Sequence, residues 1–134
     1  MEYSNKTTLL LIEEENKLII LKFLYDVNAG YKKGSMYEFV RHDKRNDVFK
    51  VGNEYKYVEE EFRGDSYMLI NNPTAIERLQ FGIMQIAEYL GWDITKTYED
   101  IKNKSKDELL CDFIKIKDLV LSDVENKVID LLLR

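Results

Sequence analysis

The sequence predicts a mainly α-helical fold with one small β-hairpin. The chain has one proline in 134 residues, so we expect few helices to be interrupted from within. Apolar residues recur at three- and four-residue spacings along most of the chain, which is typical of amphipathic helices. The spacing changes to two at Ser66–Ile70, and this change predicts a strand.

Three helices are predicted in the N-terminal half. The first spans Thr8–Asn28 and precedes Gly30, a residue type that commonly follows a helix end. The second spans Ser35–His42, where the Ser35 side chain can cap the first turn. The third spans Val48–Arg63, because four apolar residues fall on one helical stripe. These four are Val51, Tyr55, Val58 and Phe62.

A β-hairpin is predicted next. Its strands are Ser66–Ile70 and Thr74–Leu79, and the turn Asn71–Pro73 joins them, because proline presets φ for a tight turn. Helical spacing resumes over Phe81–Leu90, and Gly91 is the expected end of that helix.

The remaining chain is predicted to be helical. Asp93 can cap a short helix, and Ser105–Glu108 and Ser122–Glu125 are capping boxes that mark two further helix starts. The apolar residues that follow exceed what two surface helices need, so they pack either on the first helix or against a second copy of the chain. We predict a two-fold homodimer. Its expected interface consists of Leu110, Phe113, Ile114, Val128 and Leu132.

The composition excludes several classes of protein. Hydrophobic residues make up 45% of the chain, with 9 tyrosines and 6 phenylalanines, which excludes a wholly disordered chain. A single cysteine excludes a disulfide framework, and a single histidine, His42, excludes a histidine-rich metal site. No apolar run is long enough to span a membrane, and no leader follows the first Met, so we expect a cytoplasmic protein.

Charge is distributed unevenly along the chain. The formal net charge is −5, which by itself argues against nonspecific nucleic-acid binding. Between Tyr31 and Tyr57, however, seven basic residues outnumber four acidic ones. This basic island predicts a surface that faces phosphates, and a solvated lysine-rich loop is the alternative interpretation.

The segment Tyr57–Leu90 resembles part of a known DNA-binding module. Val58–Gly64 followed by Tyr67–Ile70 looks like the end of a recognition helix, its glycine stop and the first strand of a wing. Leu79–Leu90 looks like the second wing strand turning into the closing helix, although Gln80 stands where the family often has threonine. The chain therefore resembles the winged helix-turn-helix family.

This resemblance covers about residues 8–91. It implies a winged-helix-like domain over residues 1–91 and a C-terminal helical segment over residues 92–134, packed on the same core. It also implies a dimeric, site-selective DNA-binding transcriptional regulator with Val48–Arg63 as its recognition helix. The DNA-contacting residues would be Arg41, Lys44, Arg45, Lys50, Asn53, Lys56, Tyr57 and Arg78.

Acidic residues on the same predicted helix favour a second hypothesis. Glu59, Glu60 and Glu61 would repel a DNA backbone brought close to them. The alternative is an acidic protein-interaction module that uses the same fold without binding DNA. An adaptor or an inhibitor from a mobile element would be of this kind.

No residues in the sequence form a catalytic pattern, so we predict a protein that is not an enzyme and has no cofactor or metal. Glycine-rich phosphate loops are absent from the sequence. His42 beside Asp43 is the one candidate acid–base pair. Cys111 lies on an apolar predicted helix and is interpreted as a small buried hydrophobe.

Overall fold

Five antiparallel strands and three α-helices make up the part of the chain that the computed structural model describes, which is residues 17–27 and 30–132, with side chains through residue 120. The prediction of a mainly α-helical winged helix-turn-helix core with a small hairpin is therefore wrong, because the fold is α+β. The strands are β1 (Ile20–Phe23), β2 (Met36–Asp43), β3 (Asn46–Val51), β4 (Glu54–Glu59) and β5 (Tyr67–Ile70). The helices are α1 (Ala75–Leu90), α2 (Ile94–Ile101) and α3 (Lys106–Leu132), and a single 3-10 turn spans Glu60–Phe62.

The strands form one sheet in the order β4-β3-β2-β1-β5. Two-residue turns join β2 to β3 at Lys44 and Arg45, and β3 to β4 at Gly52 and Asn53. Lys44 and Gly52 have φ angles of 57° and 60°, which is the left-handed conformation that the favoured two-residue hairpin turns require. Turn chemistry thus sets the register of three consecutive strands.

The sheet is strongly curled. From β5, the Tyr67 hydroxyl donates to Asp47 Oδ2 on β3 at 2.6 Å and to the Glu59 carbonyl oxygen on β4 at 3.3 Å. In a flat sheet β5 and β3 would lie three strand spacings apart, about 14 Å, which no tyrosine side chain can reach. The curl therefore creates a concave inner face and a convex outer face.

The inner face holds an aromatic core. Side chains alternate between the two faces along each strand, so Leu21 and Phe23 share one face and Ile20 lies on the other. Tyr31, in the connection between β1 and β2, stacks on Phe23 with ring centroids 4.9 Å apart. The buried members of this core are Leu21, Phe23, Tyr37, Phe49 and Tyr67.

The outer face is covered by helices over β1 and β2. Ile20 and Met36 of the sheet pack there with Ile83, Met84 and Leu109 of the helices. On β4 the outer face instead carries two exposed tyrosines. No helix within the described residues is both long enough and apolar enough to cross a membrane.

The segments predicted as N-terminal helices form strands where the structure describes them. Residues 8–16 and 28 of the predicted helix Thr8–Asn28 lie outside the described residues, and the part in between contains β1. The predicted helix Ser35–His42 is β2. The predicted helix Val48–Arg63 consists of most of β3, a tight turn, β4 and the 3-10 turn.

The four apolar residues of the predicted helical stripe on Val48–Arg63 lie on two hairpin strands and the 3-10 turn, where the same three- and four-residue spacing also occurs. Val51 and Val58 pack against the inner core, whereas Tyr55 is 53% exposed on the outer face. The chain reverses between Val51 and Tyr55, so these residues share no helix face. Helical spacing across a two-residue turn therefore predicted the wrong element.

Local end signals placed the later helices. Thr74 and Glu77 form a capping box at the start of α1, so the predicted return strand Thr74–Leu79 is wrong. The predicted helix end at Gly91 is confirmed by its left-handed φ of 75°. The cap that Asp93 provides to α2 is also confirmed, through its contact with the Lys96 backbone N–H at 3.0 Å.

A single long helix ends the described chain. The predicted start at Ser105 is confirmed, because Ser105 and Glu108 bond reciprocally before α3. The second predicted start, at Ser122, is wrong: α3 continues through it without a break. The backbone N–H groups around Ser122 have hydrogen-bond partners within α3, so the second capping box marks no helix start.

Candidate functional site

Most of the predicted DNA-contacting residues lie together on β2, β3, β4 and their two turns, a surface that we call the outer ribbon. Arg41 lies on β2, Lys50 on β3, and the turns carry charged and amide side chains. The strands and turns of the ribbon contain seven of the eight residues: Arg41, Lys44, Arg45, Lys50, Asn53, Lys56 and Tyr57. Of these, Lys56 pairs with Phe49 of the inner core and lies on the inner side. Arg78 lies apart from them in the first turn of α1, where its Nε donates to the Pro73 carbonyl oxygen at 3.3 Å.

Two tyrosines dominate the outer face of the ribbon. Tyr55 and Tyr57 are 53% and 57% exposed. The Arg41 guanidinium lies 5.9 Å from the centroid of the Tyr55 ring, which is within cation–π range. Val48 pairs with both Arg41 and Tyr57 across the sheet and is fully buried between them. The ribbon thus presents aromatic rings and a guanidinium on a rigid, packed base.

The charges of the segment that forms the ribbon balance when both faces of its strands are counted. Between Met36 and Glu59 the sequence has five basic and five acidic residues, and one of the acids, Asp47, is buried on the inner side. Lys56 Nζ lies 3.0 Å from Glu54 Oε2, and this hydrogen bond raises the pKa of Lys56. Phosphate neutralisation supplies most of the affinity in nucleic-acid binding, and a surface without net positive charge gains little from it.

A buried carboxylate lies under the other side of the ribbon. Asp47 has no exposed surface, and its two oxygens accept hydrogen bonds from Arg63 Nε at 2.8 Å and Arg63 NH2 at 2.6 Å. Tyr67 donates to the same carboxylate. Burial raises the pKa of Asp47, but the hydrogen bonds from Arg63, Tyr67 and His42 outweigh it, so that pKa lies below its usual value. Asp47 is therefore a stable, fully partnered anion.

His42 contacts this cluster and not the acid predicted for it. Its Nδ1 lies 3.0 Å from Asp47 Oδ1 and its Nε2 lies 3.2 Å from Glu60 Oε2. The predicted partner Asp43 follows His42 on a strand, so its side chain points to the opposite face. Among the hydrogen bonds of the described residues, none brings a Ser, Thr or Cys side chain to His42. The cluster ties β3 to the segment before β5.

A cavity of about 440 Å³ opens between the inner core and the 3-10 turn, and we call it the inner cavity. Its apolar lining comes from Phe23, Val27, Tyr31, Val58 and Phe62. Asp26, Glu59, Ser66 and Tyr57 complete the lining. Sequence reasoning missed this cavity, because its walls come from four separate segments that no local spacing connects.

The predicted dimer residues lie in different environments along α3. Leu110 and Ile114 are 43% and 53% exposed. Phe113 packs against the helical core. Val128 and Leu132 belong to the part of α3 whose side chains lie outside the described residues. Cys111, interpreted as buried, is exposed, because it lies on the side of α3 that turns away from Leu109.

The described residues contain no group of three or more side chains suited to hold a metal ion. Glu59, Glu60 and Glu61 follow one another, and only Glu60 contacts His42. Comparisons with protein-family models, with curated proteins and with solved structures found no match to this chain.

Proposed function

We propose that this chain is a protein-interaction domain whose recognition surface is the outer ribbon. The observation that carries this proposal is the pair Tyr55 and Tyr57, each more than half exposed on the outer face beside Arg41. Tyrosine and arginine are among the residue types that contribute most of the binding energy at protein interfaces. Since Val48 is packed beneath them, these side chains pay little conformational entropy when a partner binds.

The side chains of the ribbon indicate which kind of partner it would bind. The two rings and Val40 favour apolar side chains on the partner, and Arg41 and Lys50 favour carboxylates. A cytoplasmic setting suits this function, because a reducing compartment keeps an exposed thiol such as Cys111 unpaired.

DNA binding is the second candidate function. Exposed tyrosines beside an arginine can stack on the bases of a single strand, which favours single-stranded over duplex nucleic acid. The acidic residues of the segment that forms the ribbon weaken this candidate. The residues of the predicted recognition helix lie on strands and turns, so docking of a helix in the major groove is not part of the proposal.

Site-specific photo-crosslinking in the cells of origin tests the proposal. A benzoylphenylalanine replaces Tyr55, Tyr57 or Tyr89 in the full chain. Tyr89 is the matched control, because it is 53% exposed, as Tyr55 is, but lies on α1. We expect the same protein adduct from the two ribbon sites, resistant to nuclease, and no such adduct from the control site.

The captured protein must then bind the purified domain through the same residues. We expect Tyr55→Ser combined with Tyr57→Ser to weaken that binding at least about ten-fold, and Tyr89→Ser to leave it unchanged. An adduct that nuclease removes supports the DNA candidate instead. Equal adducts from all three sites contradict both.

We also propose that the chain forms a homodimer through α3. The helix has 27 residues and is about 40 Å long. Leu109 and Phe113 face the core, while Leu110 and Ile114 are exposed beside them. In the sequence, Ile114, Leu121 and Val128 follow one another at seven-residue intervals, which is the spacing of a helix–helix seam.

A further inference from the structure

The inner cavity combines aromatic walls with carboxylates. Tyr31 and Phe62 line it beside the buried Phe23, on which Tyr31 stacks, and Asp26 and Glu59 are the acidic residues of the lining. A volume of about 440 Å³ is within the range of small-molecule sites. No lysine, arginine or histidine is among its lining residues within the described chain.

The carboxylates of the cavity form no ion pair among the described residues. Asp26 Oδ1 accepts a hydrogen bond from the Lys33 backbone N–H at 2.8 Å. A side-chain hydrogen bond with Glu59, and then the negative charge of Glu59, raise the pKa of Glu61. Among the ion pairs of the described residues, none includes Asp26, Glu59 or Glu61.

Two of the neighbouring cations are already engaged, and a third, Arg45, lies with Glu59, Glu60 and Glu61 around a separate pocket. Lys56, whose charge acts on Tyr31, lies 3.0 Å from Glu54. Arg63, which follows the 3-10 turn, holds Asp47 with two hydrogen bonds. The cavity thus has acidic residues beside aromatic residues, and none of its described lining residues is a cation.

We propose that the inner cavity binds an ammonium group carried on an alkyl stem. The ammonium would lie against the aromatic faces, which attract cations through the ring quadrupole, and beside Glu59 and Asp26. The alkyl stem would contact Val27 and Val58, which are apolar. This inference does not use Tyr55 or Arg41 of the outer ribbon, although Tyr57 of the ribbon also lines the cavity.

Two sources supply this chemistry, namely a free amine and a lysine side chain of another protein. Butylammonium represents the first, and Nα-acetyl-lysine amide with its trimethylated form represents the second. Nα-acetyl-norleucine amide has an alkyl stem without the ammonium and controls for apolar contact alone. A lysine derivative that binds more tightly than butylammonium assigns the site to a polypeptide, and equal binding assigns it to a free amine.

The experiment is a titration of the isotope-labelled full chain followed by NMR. We expect saturable shifts of the backbone amides of Val27 and Ser66 with the ammonium ligands, and none of that size with the norleucine control. Phe62→Ala and Glu59→Gln should each weaken binding about five-fold or more. Phe62 is 45% exposed, so its removal leaves the core intact.

Matched variants keep the outcome unambiguous. Tyr89→Ala removes an exposed ring from α1, and Glu38→Gln removes a charge from the outer face of β2; both should bind as the unmodified chain does. The proposal is overturned if norleucine causes equal shifts, if the cavity variants bind as tightly as the controls, or if no ligand causes shifts at millimolar concentration.

Discussion

Asp47 is a charged side chain with no exposed surface, and its partners come from three separate segments. Arg63, Tyr67 and His42 all contact it, although they lie five to twenty residues away in the sequence. A buried carboxylate is tolerated only when hydrogen bonds replace its hydration. Asp47 therefore holds the curl of the sheet by joining β3 to the chain before and within β5.

Replacing Asp47 by asparagine should destabilise the fold. Asp47→Asn removes the charge that Arg63 and Tyr67 contact, and we expect the free energy of unfolding to fall by about 2 kcal/mol at neutral pH. Arg63 is 42% exposed and regains water, which limits the loss. Urea unfolding of the two proteins measures this fall in the free energy of unfolding. Asp43→Asn, at the exposed end of β2, should change stability by less than about 0.5 kcal/mol.

The pH dependence of that difference checks its electrostatic origin. The pKa of Asp47 is lowered in the folded state, so its stabilisation is complete above the ordinary value of 3.8 and is lost as the pH falls through the lower, folded-state pKa. The difference in the free energy of unfolding between the unmodified chain and Asp47→Asn should therefore become smaller in acid. Burial raises the pKa of Glu88, so Glu88 changes the stability with pH in the opposite direction. It does so equally in both proteins, and its effect therefore cancels from the difference between them. A gap that stays constant with pH would contradict this origin.

The docking of α2 on the sheet depends on the connection between β1 and β2. Lys22 Nζ lies 2.5 Å from the Tyr98 hydroxyl and 4.6 Å from the centroid of its ring. Gly34, just before β2, lies so close to Tyr98 that a side chain there would overlap the ring. One glycine thus allows a helix to approach the sheet closely.

Substitution of two glycines separates close approach from backbone conformation. Gly30 and Gly34 have φ angles of 96° and 87°, but only Gly34 has a neighbour that an added methyl group would meet. We expect Gly30→Ala to lower the free energy of unfolding by about 1–2 kcal/mol, because alanine disfavours the left-handed backbone at this position. We expect Gly34→Ala to lower it by about 1–3 kcal/mol more, because the added methyl group would also overlap with Tyr98. Urea unfolding of both variants measures the difference, and equal losses would show that Tyr98 imposes no constraint.

The molecule has a compact sheet at one end of the sequence and a long helix at the other. The helix packs on α1 and buries Leu109, but it leaves Leu110, Ile114 and Leu119 exposed. Apolar groups of this size on one helix are what a partner helix covers. In the proposed dimer, two chains would associate through α3 and leave the outer ribbon and the inner cavity available.

Charge on the exposed side of α3 should prevent the dimer. Leu110→Glu combined with Ile114→Glu puts two charges into the proposed seam, so we expect the unmodified chain to sediment as a dimer and the variant as a monomer. Both residues are exposed, so the thermal unfolding of the isolated chain should change little. Sedimentation at several concentrations measures the mass. A monomer mass for the unmodified chain at all of them would contradict the dimer.

The candidate site was partly visible in the sequence. Arg41, Lys50 and Tyr57 could be chosen because they belong to one contiguous basic stretch, and consecutive hairpins keep such a stretch together. Tyr55, by contrast, was assigned to a buried stripe, because residue spacing alone cannot tell which face of a strand is covered. No pattern in the sequence predicts the inner cavity, since Phe23 and Phe62 line one space only when the sheet curls.

The sequence by itself determined the helix end at Gly91 and the helix starts at Asp93 and Ser105. These capping residues act within one helical turn, so neighbours in the chain are sufficient to specify them. The capping box at Thr74 is equally local, but the hairpin prediction placed a return strand there. Only the tertiary structure decided that residues 36–59 are strands, that their sheet curls, and that Asp47 is buried. Those outcomes depend on hydrogen bonds and packing between segments far apart in the chain, which local spacing does not encode.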